Sequence, residues 1–112
     1  MPKLTVTPAE DHLTILVEES RLDAAISTRF KDRIREIVMT SRTAVILDMT
    51  NIEFMDSSGL GAVIAVHKAM PGGRVLELAG LTPNVERVFR LTRMDTVFKI
   101  HPSAQNVQEK RA

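Results

Sequence analysis

Apolar positions along this chain change their period several times, and each change marks an element boundary. Leu4 to Thr7 and Leu13 to Val17 are short runs rich in β-branched residues. Pro8-Ala-Glu-Asp-His12 turns between them, so the pattern predicts an opening β-hairpin with His12 as a turn residue. Ser20-Arg-Leu-Asp23 leads into apolar positions at Ile26, Phe30, Ile34, Ile37 and Val38, with charged residues filling the intervals. That spacing of three and four is an amphipathic helix, with Asp23 as its cap or first-turn acid. Ala44 to Leu47 is apolar without alternation, which fits a strand covered on both faces.

After Asp48 a short link carries Phe54 and Met55 to Asp56-Ser-Ser-Gly-Leu-Gly61, where helical spacing begins. Oxygen-bearing side chains there can accept the orphan N–H groups of a first turn, and Ser57 is read as the cap. Leu60, Val63, Ile64 and His67 form the inner stripe of a helix over Ser57 to Lys68, which Pro71-Gly-Gly73 ends. Val75 to Ala79 reads as a strand. Thr82 and Pro83 start a third helix, as cap and first helical residue, with Val85, Val88, Phe89 and Thr92 inward. Val97 to Ile100 reads as the last strand, His101 as the residue after it, and 102–112 as a polar tail or short terminal helix outside a domain of 1–101. Strands alternating with helices imply an α/β fold with a mostly parallel sheet of about five strands. Ser57 and Ser58 then lie beyond the carboxyl end of a central strand, the edge where open sheets place functional loops.

Composition narrows the chemistry. The 112 residues suit one domain, and no apolar run approaches the length of a membrane span. With no cysteine there is neither disulfide nor thiolate metal site, and a cytoplasmic protein without cofactor is the simplest expectation. The net charge of +1 hides an asymmetry of −3 over residues 1–56 and +4 over 57–112, which either steers a charged partner toward one side or reflects two solvated faces that happen to differ. Arg87, Arg90 and Arg93 recur every three residues, a solvated face or a row for an acidic partner. No tyrosine or tryptophan and only four phenylalanines argue against a nucleic-acid stacking platform. Gly59-x-Gly61 lacks the third glycine of a dinucleotide fingerprint, because Ile64 stands there. The exposed serines are left as caps, nucleophiles or phosphate acceptors. No Gly-x-Ser-x-Gly elbow surrounds them and the three histidines lack triad context, so a small serine hydrolase is the least favoured reading.

Phe54-Met-Asp-Ser-Ser-Gly-Leu-Gly61 resembles the signature of the single-domain STAS proteins that act as anti-sigma factor antagonists. Arg21-Leu-Asp23 is similar to that family's first loop, and Leu81 to Phe89 with Asp95 to Ile100 to its last helix and strand. The resemblance implies a partner switch. Ser58 would accept a phosphoryl group from a cognate serine kinase that is also the anti-sigma factor. The unmodified form would bind that kinase and free the sigma factor, and a serine phosphatase would reverse the modification. Asp23, Asp56, Ser57, Ser58, Gly59 and Leu60 are implied as the partner-binding surface, on a monomer or weak homodimer without direct nucleic-acid contact. Ser20 and Arg93-Met94 depart from the family's usual glycine and Gly-Leu. The alternative within the family is a non-switching subunit of a stressosome or lipid-transport complex.

Overall fold

The computed structural model describes residues 2–105 and 107. Strands β1 (Leu4–Pro8) and β2 (His12–Val17) form the antiparallel hairpin, with Leu4 opposite Val17 and Pro8 opposite Leu13. The sheet continues in parallel through β4 (Ala44–Asp48), β6 (Leu76–Ala79) and β7 (Ile100–His101), in the order β1-β2-β4-β6-β7. The expected α/β architecture, a five-stranded and mostly parallel sheet after an opening hairpin, is therefore present.

Helices α1 (Ser27–Thr40), α2 (Ser57–Ala69) and α3 (Pro83–Leu91) contribute to one core with one face of that sheet. Alternation along the strands divides them. Leu13, Ile15, Val17, Val45, Leu47, Leu76 and Leu78 join Phe30, Ile34, Val63, Val66, Val85 and Phe89 in the main core. Ile46 and Ala79 point the other way and are covered by Val107. Ala104, Gln105 and Val107 are helical, and the remainder of the expected tail, 106 and 108–112, lies outside the described residues.

Two short strands escaped the pattern. β3 (Arg21–Leu22) pairs in parallel with β5 (Phe54–Met55), Arg21 opposite Phe54 and Leu22 opposite Met55. Two residues are too few to show a period, yet this ladder ties the loop before α1 to the loop before α2. The Ser20 carbonyl adds to it by accepting from the Glu53 and Phe54 N–H groups at 2.7 and 3.2 Å.

The last strand begins later than its apolar residues suggest. Met94–Thr96 is a 3-10 turn, and the Val97 and Phe98 N–H groups both return to the Met94 carbonyl at 3.0 Å. Phe98 leaves the ladder to pack edge-on against Phe89 and beside His67. Thr92, expected inward, is exposed, and its hydroxyl donates to the Val88 carbonyl at 2.7 Å. Likewise His12 and His101 are not turn and exit residues but buried strand residues. His101 Nε2 lies 2.6 Å from Glu77 Oε1 on the neighbouring strand.

Arg93 is the one described non-glycine residue with a left-handed backbone, at φ 61°. A Cβ there costs about 1–2 kcal/mol, part of which glycine returns as unfolded-state entropy. Arg93→Gly should therefore stabilise the domain by roughly 0.5–1 kcal/mol, read as a higher urea midpoint at unchanged slope.

Candidate functional site

The parallel β3–β5 ladder sets Asp23 and Asp56 at corresponding positions just past its two strands. Asp56 is half-buried and caps α2: its Oδ1 accepts from the Gly59 N–H at 2.9 Å. Its other oxygen accepts from the Ala24 N–H at 3.1 Å, 32 residues earlier in the chain. One carboxylate thus closes the helix and clamps the loop before α1. The Gly59 N–H first, with those of Ala24 and Ser58, holds the Asp56 carboxyl below its ordinary 3.8, against a smaller opposing effect of desolvation.

Ser57 is consequently not the cap. The extended backbone of Asp56 (φ −101°, ψ −175°) is that of the cap residue, while Ser57 is already the first helical position. Asp23 does not cap α1 either, since that helix starts four residues later behind Ile26, which has no side-chain cap. Asp23 instead organises the turn between β3 and α1. Its Oδ1 accepts from the Ala25 N–H at 3.1 Å and its carbonyl from those of Ile26 and Ser27 at 3.2 and 2.9 Å. Thr82 occupies the α3 cap position, but its hydroxyl donates to the Ile52 carbonyl at 2.7 Å rather than closing the helix.

Ser57 and Ser58 are both exposed on the first turn of α2. Gly59 and Leu60 stand in the same turn but are buried, so they hold this surface rather than form it. A Cβ on Gly59 would sit 2.1 Å from the Leu22 carbonyl oxygen, so α2 approaches β3 closer than a side chain permits. Gly61 has open space around it.

Two residues that spacing did not single out complete the surface. The Arg21 guanidinium lies 4.2 Å above the Phe54 ring and its Nε donates to Asp23 at 3.3 Å. Phe54 is 41% exposed, a large apolar ring left on the surface two residues before Asp56. An aromatic residue opening a two-residue strand beside Asp-Ser-Ser was the available signal. On the other side, Ser58 borders a shallow groove of about 290 Å³ between α1 and α2, lined also by Ser27, Thr28, Lys31, Gly61, Ala62 and Ala65. No imidazole or carboxylate lines it.

Asp56→Ala removes the acceptor of two backbone N–H groups at once. At neutral pH it should lower the thermal midpoint by several degrees. Because folding lowers this carboxyl's pKa, its contribution is complete above 3.8 and is lost as the pH falls through the lower folded value. Thermal scans of both proteins should therefore diverge at pH 6–8 and converge toward pH 2–3.

The STAS domain family model matches residues 5–107. A STAS-domain containing protein of Pseudomonas aeruginosa is 28% identical over 100 residues, covering 87% of this chain and 97% of the relative. An anti-sigma-B factor antagonist of Listeria monocytogenes is 26% identical over 91 residues, covering 80% and 79%. Among solved structures, the phosphorylated form of the Bacillus cell fate determinant SpoIIAA superposes with a TM-score of 0.70 at 17% identity, over 98% of this chain and 100% of that one.

Proposed function

The chain belongs to the STAS domain family, and from that premise we propose that it is an anti-sigma factor antagonist switched by phosphorylation of Ser58. One observation carries the reading: Ser58 is an exposed hydroxyl on the first turn of α2, in a surface that also presents Asp23, Asp56, Ser57 and Phe54. A Listeria relative is named an anti-sigma-B factor antagonist, and SpoIIAA, of the same fold, has a phosphorylated form.

In this reading the unmodified protein docks on an anti-sigma factor that is also a serine kinase. Bound there, Ser58 Oγ attacks the γ-phosphorus of the kinase's ATP. The O–P bond forms, the bond to the bridging oxygen breaks, ADP leaves, and the hydroxyl proton passes to a base of the kinase. The chain is the substrate of that step and supplies no catalytic group. A serine phosphatase restores the hydroxyl by hydrolysis.

The added group carries about −1.5 to −2 charges with three strong acceptor oxygens. On α2 it meets the positive helix end, which favours it by ~0.3–1 kcal/mol, and Asp56, which opposes it. The fold therefore tolerates it. At a contact surface the same charge, desolvated without a partner, costs several kcal/mol. The interface effect is the larger, so phosphorylation releases the partner without remodelling the domain.

Intact-mass measurement of the protein from its own cells, followed by peptide fragmentation, tests the assignment. One phosphoryl group located on Ser58 is expected in cells where the sigma factor is held inactive. Its absence there, or its location on another residue, would contradict the reading.

A further inference from the structure

We infer that the groove between α1 and α2 receives the phosphoryl group of phosphorylated Ser58, with the Lys31 ammonium and the Ser27 and Thr28 hydroxyls as its partners; this rests on Ser58 as the acceptor. Lys31 stands four residues after Ser27 and three after Thr28 on α1, so its side chain neighbours both. Ser58, Gly61, Ala62 and Ala65 supply the facing wall from α2. The small residues of that wall leave the volume beside Ser58 open, and a Cβ added at Gly61 would meet nothing within 4 Å.

Ser27, only 9% exposed, lines the groove one residue before Thr28. Lys31 is half-buried against the groove and forms no ion pair with a described carboxylate. A cation with no counter-charge among the described residues, beside two hydroxyl-bearing residues, suits an anionic acceptor. The phosphoryl oxygens supply one from the edge of the same groove, while Asp56, two residues earlier at the cap of α2, repels them from its own side. Lys31 thereby steadies the phosphorylated state and prolongs it.

Phosphoserine encoded at position 58 of the full chain tests this by ³¹P NMR titration, without any kinase. Removing the cation in Lys31→Gln should raise the second ionisation of the phosphoserine by ~0.5–1 pH unit relative to wild type. Ser27→Ala should move it in the same direction by less. Identical titration midpoints in wild type and Lys31→Gln would overturn the inference. Because the modification is installed during synthesis, that outcome is independent of whether cells phosphorylate Ser58, which the mass measurement decides separately.

Discussion

Gly59→Ala is expected to destabilise the domain by about 1–3 kcal/mol, although alanine is the better helix former by roughly 0.5–1 kcal/mol. The new methyl would lie 2.1 Å from the Leu22 carbonyl oxygen and 2.9 Å from its carbon. Both are backbone atoms of β3, so no rotamer change relieves the clash; α2 must move away from the ladder. That movement would also stretch the bonds by which Asp56 joins Gly59 to Ala24. Gly61→Ala, two residues on in open space, should instead gain the helix propensity. Thermal unfolding of the pair is the check. Gly59→Ala should melt roughly 5–15 °C below wild type and Gly61→Ala slightly above it. A rise in both would mean that the close approach of α2 to β3 does not constrain the fold.

Ser58→Asp should weaken binding to the anti-sigma factor at least ~tenfold, the equivalent of 1.4 kcal/mol, while Ser58→Ala keeps it. Neither change should move stability by more than ~1 kcal/mol, because the side chain is exposed and no packing is lost. The aspartate places one charge where phosphoserine places nearly two, so its effect is a lower bound on that of the modification. Affinity and stability are therefore expected to separate, the first falling while the second holds. Calorimetric titration of both variants, with thermal scans of the same samples, reads the two quantities together. Loss of affinity accompanied by loss of fold would remove the argument that the surface itself is switched.

Local periodicity carried the architecture well. Ala44 to Leu47 has no polar interruption because both faces of β4 are covered, and the α1 stripe from Phe30 to Val38 names its own buried face. What escaped the sequence depended on distant contacts. Asp56 and Ser57 are both competent caps by type; the choice follows from the extended backbone of Asp56 and from an N–H 32 residues earlier. The β3–β5 ladder is two residues long on each side, and nothing in Arg21-Leu22 or Phe54-Met55 shows a period. Phe98 reads as a strand residue by type, but the left-handed turn at Arg93 and the 3-10 turn after it send it into the core. Lys31 was one charged position among several on a wet helix face, and only the packing of α1 against α2 sets it beside Ser58.

Calorimetric titration of the cognate anti-sigma factor with the unmodified protein and with the same protein carrying phosphoserine at position 58 tests the switch most directly. The account predicts tight binding by the unmodified form and a dissociation constant raised at least ~100-fold by the phosphoryl group, the equivalent of about 2.8 kcal/mol. Equal dissociation constants for the two forms would contradict it.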